Sequence, residues 1–261
     1  MNTVLRRTLF AATLVLFCGC QSEPAAPLDP DSEEAFEFLS SLSVASLDSA
    51  FTELNRTVRT VESHTVELSE AGDTLGSSIV RVEVFVDPAQ NESGETELAS
   101  RVTVDYQSSS GTLASGDSVQ WDGEIRNPIP AMFSGEPAFL SPRTREHYTF
   151  ALQPDTVVNG QPLHVVAARL NPDNYDDQAV RNATYYVHGT ETIRGVHILR
   201  VSNSALFDES SEVTVWLYRP WESAPDALMP ASVRVENEIH TAAGRTRRLV
   251  TEYRVLEVLN H

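Results

Sequence analysis

The residue types that carry most protein chemistry are present in this chain, but their spacing withholds it. His64, His147, His164, His188, His197, His240 and His261 stand singly. No two of them are at the helical spacing of a metal pair, and no cysteine is near enough to complete a zinc set. No Gly-x-Ser-x-Gly elbow, phosphate-cradling loop or Gly-x-Gly-x-x-Gly turn is present, so hydrolase, nucleotide and dinucleotide chemistry have no footing. The acidic run Asp173-Asn174-Tyr175-Asp176-Asp177 invites a calcium reading. Tyr175 stands where a third-position oxygen ligand is needed, and Gln178 stands where the loop requires glycine, so a solvated acidic loop is the better description. His164 and His197 fall in alternating runs and read as half-buried sheet residues. Trp216, Tyr218 and Trp221 form an aromatic group that either lines a ligand site or packs a sheet edge. The expectation is a protein that binds and does not catalyse, with no cofactor and no metal.

One cysteine has chemistry written into its surroundings. Arg6 and Arg7, an uncharged apolar run from Thr8 to Phe17 and then Cys18-Gly19-Cys20 make a secretory signal too short to span a bilayer, with small residues at its cleavage point. This resembles the lipobox of bacterial lipoproteins, although Phe17 and Cys18 replace the usual Leu and Ala or Ser. The resemblance implies cleavage before Cys20, a diacylglyceryl thioether on Cys20 and an acylated new N-terminus. Several acyl chains hold a protein on a membrane far more firmly than one. The alternative is an ordinary signal peptide, which leaves Cys20 a lone thiol. Both cysteines of the chain lie in this segment, so the domain beyond has no staple and must rest on a hydrophobic core.

Charge narrows the partners. The chain has 37 acidic residues against 19 arginines and no lysine, for a net charge of -18. With no basic stripe, phosphate-backbone binding lacks electrostatic support, so no nucleic-acid partner is expected. The same field repels an anionic bilayer surface, which leaves attachment to the acyl chains on Cys20.

The elements follow from periodicity. Residues 1–19 read as the signal peptide and 20–31 as the lipidated cysteine and a Pro- and Ala-rich tether. Residues 32–261 read as one domain. Asp31 or Ser32 is placed to cap a short helix with Glu33 and Glu34 in its first turn. Leu47, Phe51, Leu54, Val58 and Val61 form one face of a second helix starting near Ser46. After Glu62 the period is two. Leu98, Val102, Val104 and Tyr106 share an expected buried face, and similar runs cover Val80 to Val86, Val213 to Leu217, Val233 to Ile239 and Leu249 to Val258. Turns at Gly72, Gly94, Gly111, Gly189 and Gly244 separate them, giving about ten or eleven strands joined mostly as hairpins. Residues Asn127 to Arg145 interrupt the meander with four prolines among Ile129, Met132, Phe133, Phe139 and Leu140. That density excludes a central strand. The segment is either a partly helical flap over the open side of the sheet or a loop that closes the core.

A pattern running from Tyr148-Thr149-Phe150-Ala151-Leu152 through Gly160 to Leu170, Asn171-Pro172 and Ala183 to Val201 resembles the LolA/LolB-like superfamily of outer-membrane lipoprotein carriers and receptors. The likeness implies a mainly β fold with N-terminal helices, in which a single curved antiparallel sheet, an open half-barrel, packs on helices around an apolar cavity. Together with the anchor expected at Cys20, it implies an envelope protein at the outer membrane, facing the periplasm, that holds acyl chains of lipid or of another lipoprotein. The anchor at Cys20 fits the receptor rather than the soluble carrier. Met132, Phe133, Phe139 and Leu140 from the flap, with Phe150, Val165 and Trp216 from the strands, are then the expected ligand contacts. The competing expectation is a structural or assembly lipoprotein that presents a protein-binding sheet surface and holds no ligand.

Overall fold

The computed structural model describes residues 30–43, 45–90, 96–114, 121–133, 137–175, 178–218 and 228–259. The signal, Cys20, most of the tether, the turn at Gly94, Asp176, Asp177 and Trp221 lie outside them. Two helical pieces, α1 (Pro30–Ser41) and α2 (Ala45–Asn55), precede ten strands: β1 (Val58–Leu68), β2 (Thr74–Gln90), β3 (Thr96–Gly111), β4 (Tyr148–Val158), β5 (Gln161–Leu170), β6 (Val180–His188), β7 (Thr192–Asn203), β8 (Phe207–Tyr218), β9 (Met229–Thr241) and β10 (Thr246–Leu259). All ten join one antiparallel sheet in the order β3-β2-β1-β10-β9-β8-β7-β6-β5-β4, which is not closed. This is the expected class, mainly β with N-terminal helices.

Register shows how alternation builds the core. Val166, Tyr185, Val196, Val215 and Val233 are successive cross-strand partners from β5 to β9, and none is more than 2% exposed. Ala168, Ala183, Ile198, Val213 and Val235 form the next row. Both helices cover this face, α1 over β4 and β5 and α2 over β9. Phe36 of α1 meets Phe150 of β4 edge to face, with ring centroids 5.1 Å apart. The opposite face carries ion pairs between neighbouring strands, among them Arg81 with Glu62, Arg248 with Glu236 and Arg248 with Glu238. One face is apolar and covered; the other is charged and wet across β1, β2, β9 and β10 but buries Leu163, Val165 and Ala167 along β5.

Three local expectations are corrected. The second helix stops at Asn55, and Val58 and Val61 belong to β1, buried at 6% and 0% exposure. Thr57, Val58, Thr60 and Val61 are β-branched, and the Thr57 amide and hydroxyl both donate to the Leu54 carbonyl at 3.0 and 2.7 Å, ending the helix. Ser32 is no cap, since the helix begins at Pro30. Its hydroxyl donates to the Phe150 carbonyl at 3.3 Å, tying α1 to the sheet. In β3 the expected buried face is only partly buried: Val102 packs against the core, while Val104 is 53% and Tyr106 48% exposed. β3 is an edge strand with an extra residue opposite Arg81 and Val82, so Val104 pairs with Val82 while Tyr106 pairs with Arg81.

Candidate functional site

The segment after Trp121 contains no helix or strand longer than a turn, so its shape depends on side chains that pin its backbone. Asn55, at the end of α2, donates through Nδ2 to the Ile125 carbonyl at 3.0 Å and accepts from the Ile125 amide at 3.3 Å. Arg59 is 2% exposed and donates through Nη2 to the Gly123 carbonyl at 2.9 Å and to Asn55 Oδ1 at 3.1 Å. Its Nη1 reaches the Leu54 and Thr57 carbonyls at 3.1 and 2.9 Å. Burial brings the Arg59 pKa down to about 10, opposed by the nearby Glu124 and Asp122. Gly123 takes φ +76°, and a Cβ there would lie 2.4 Å from Cγ2 of Val84. Only glycine lets this backbone lie flat on β2.

Pinned in this way, the segment walls a cavity of about 580 Å³ over the helix-covered face of the sheet. Val233, Val235 and Tyr253 of β9 and β10 line it from the sheet, and Trp121, Ile125, Pro128 and Ala131 line it from the segment. The Trp121 and Tyr253 rings stand 5.7 Å apart. Asp122, Glu124, Arg126 and Asn127 complete the lining, with Arg126 paired to Glu124 at 3.2 Å and Asn127 held by Asp48 at 2.8 Å. Burial, and then the Asp122 charge, raise the Tyr253 phenol above its ordinary value, so it stays a neutral hydrogen-bond donor. The space is apolar with a polar edge, the form of a site for a small amphipathic molecule.

The residues expected from sequence do not converge on this cavity. Met132 and Phe139 are core residues, 6% and 1% exposed. Phe133 and Leu140 pack against that core, and Phe139 stacks edge to face on Phe133 and Tyr148 with centroids 6.1 and 5.9 Å apart. The described residues of the proline-rich segment therefore close the core, and among them only Asn127, Pro128 and Ala131 reach the cavity. Phe150 is buried beneath α1. Val165 and Trp216 fall on the other face, in one row with Tyr186 and Gly195. There Trp216 lies so closely over Gly195 that a Cβ would meet its ring at 2.5 Å. The crevice beside Trp216 has a volume of only about 10 Å³. Val165 also borders a groove of about 420 Å³ beside α1, with Phe38, Leu152 and His164. Trp121, Tyr253 and Asn55 were missed. Trp121 lies in a loop and Tyr253 in a regular strand, and the pinning of Gly123 and Ile125 by Arg59 and Asn55 brings them together.

Nothing near either hollow has the arrangement of a nucleophile with its base. His240 Nδ1 is 2.9 Å from the Thr246 hydroxyl and its Nε2 is 2.7 Å from Glu238, and His197 stands similarly between Thr214 and Glu212. Both threonines are direct cross-strand partners of these histidines, and none of these residues lines either hollow. Among the described residues no cluster of His, Cys, Asp or Glu could hold a metal ion.

No protein-family description matches the chain, and no curated protein does. Among solved structures the chain is similar to an outer membrane lipoprotein-sorting protein domain from Vibrio parahaemolyticus, at 12% identity and a TM-score of 0.31, covering 87% of this chain and 92% of that one. It is also similar to a DUF1329 family protein from Desulfovibrio piger, at 8% identity and a TM-score of 0.27, covering 88% and 95%. A third likeness is to the Pseudomonas aeruginosa MucA/MucB complex, at 10% identity and a TM-score of 0.21, covering 85% and 94%. At these identities and scores the likeness carries no argument about ligand or activity. The first of the three is of the kind the sequence resemblance expects.

Proposed function

We propose that this chain is a lipoprotein of the cell envelope, anchored through Cys20 and facing the periplasm, that holds an acyl chain of lipid or lipoprotein in the cavity between residues 121–131 and strands β9 and β10. The observation that carries this reading is the apolar lining by Trp121, Ile125, Pro128, Ala131, Val233, Val235 and Tyr253, set against a polar edge. Each methylene taken from water into such a space gains about 0.8 kcal/mol. Met132, Phe133, Phe139 and Leu140 support the wall as core, and the ligand contacts pass to the residues just named. A second reading, a scaffold with a protein-binding sheet edge, draws on the exposed Val104 and Tyr106 of the edge strand β3.

Trp121 makes the first reading measurable. A brominated monoacylglycerol entering the cavity brings its bromines against the indole and quenches it. Saturable quenching is expected in the wild type and not in Trp121→Phe, whose remaining tryptophans include Trp216 on the other face. Val235→Glu, which puts a charge on the cavity floor, should weaken binding at least about tenfold. Quenching that persists in Trp121→Phe, or none in the wild type, would leave the scaffold in its place.

A further inference from the structure

The groove beside α1 is separate from the cavity just described and has a different character. Phe38 of α1 and Leu152 of β4 give it an apolar bed, Val165 borders it from β5, and its volume of about 420 Å³ is in the range of small-molecule sites. Leu152 is 45% exposed, a large apolar side chain left uncovered where α1 and the sheet part. Gly189 and Thr190, in the turn joining β6 to β7, close one end.

Its charged groups are of one kind. Glu34 and Glu37 stand one turn apart on α1, and Asp155 faces them from β4. Neither glutamate has an ion-pair partner among the described residues. Asp155 is 2.9 Å from Nδ1 of His164, and both of those side chains are more than half exposed. No arginine lines the groove and the chain has no lysine, so no strong cation answers the three carboxylates. A free fatty acid or a phosphate head would meet like charge at every approach. A bare divalent ion is poorly served as well, since no cluster among the described residues could hold one.

We propose that this groove binds a cationic amphiphile: an alkyl chain on Phe38 and Leu152, with an ammonium head among Glu34, Glu37 and Asp155. This stands independently of the proposed acyl-chain cavity. The apolar bed supplies affinity through chain length, and the carboxylates decide which head is accepted.

The test titrates n-octylamine, n-butylamine and octanoate into the isotope-labelled protein at low salt and follows the imidazole resonances of His164. His240 is the control, because it too sits beside a carboxylate, Glu238, but on the wet face away from the groove. Octylamine should shift His164 saturably and leave His240 still. Butylamine, with the same head and four fewer methylenes, should bind at least about tenfold more weakly. Octanoate should not saturate. Glu34→Gln with Glu37→Gln, both on the exposed side of α1, should cost about tenfold in octylamine affinity while leaving the thermal midpoint in place. Equal binding of octanoate and octylamine, equal shifts at His164 and His240, or an unchanged affinity in the double variant would each overturn the proposal. The brominated monoacylglycerol reports on the other cavity, so the two readings fail separately.

Discussion

Arg59 shows how much one side chain decides here. Its guanidinium reaches the Leu54, Thr57 and Gly123 carbonyls and the Asn55 side chain from a nearly closed position, so it ends α2 and fixes the cavity wall at once. Arg59→Met keeps the bulk and removes the donors. It should cost about 3 kcal/mol, because buried carbonyls are left without partners. Urea unfolding measures that loss, and a red shift of Trp121 emission in the native state reports the loosened wall. Arg59→Lys should recover little, since a point charge cannot serve four acceptors laid out for a planar fork. A loss below about 1 kcal/mol in Arg59→Met would mean that water replaces the donors easily. Nothing in the residues around Arg59 announces this role. By spacing it reads as a polar position off the apolar face of the expected second helix, and only the approach of Gly123 from 64 residues away makes it a latch. Val165 and Trp216 lie away from the cavity for a simpler reason: Trp216 stands between the buried Val215 and Leu217, which turns it to the opposite face, and Gly195 and Tyr186 carry that row to Val165.

At the scale of elements, most strands were legible because alternation is a local signal, and the glycines at the Gly72, Gly189 and Gly244 turns all have positive φ. The α2 boundary was not, because Leu54, Val58 and Val61 continue a helical spacing into a strand that also needs buried residues. The ladder of the wet face belongs to this scale too. Glu236 accepts from Arg248 of β10 and from Arg234 of its own strand. Burial alone would raise its carboxyl, but the hydrogen bonds from Arg248 and Arg234 outweigh it and hold the group below the ordinary range. A folded value below the unfolded one means that its contribution is complete above the unfolded value and is lost as pH falls through the folded one. Glu236→Gln should therefore cost no more than about 1 kcal/mol at pH 7. It should also flatten the fall in stability between roughly pH 5 and pH 2. Urea midpoints across that range check it, and an unchanged slope would assign the acid sensitivity to other carboxylates.

At the scale of the molecule, the proposed anchor and the sheet set separate demands. Cys20→Ser should abolish incorporation of labelled fatty acid and leave an unprocessed precursor in the inner membrane fraction. Release of a soluble chain of mature size would point instead to an ordinary signal peptide. The sheet imposes an order of assembly. Every neighbouring pair of strands is adjacent in sequence except β1 with β10, where the Thr65 and Thr251 hydroxyls meet at 3.1 Å across 186 residues. Closing a loop of that length costs about 5 kcal/mol of chain entropy. The hairpins on either side face no such cost, so β1 to β3 and β4 to β10 form as two wings and the seam between them joins last. Because the chain is synthesised N-terminus first, β1 emerges early and its partner is the final strand to follow. Until then β1 presents an unpaired apolar edge, and the interval between those two strands is when this protein is most open to pairing with the wrong chain.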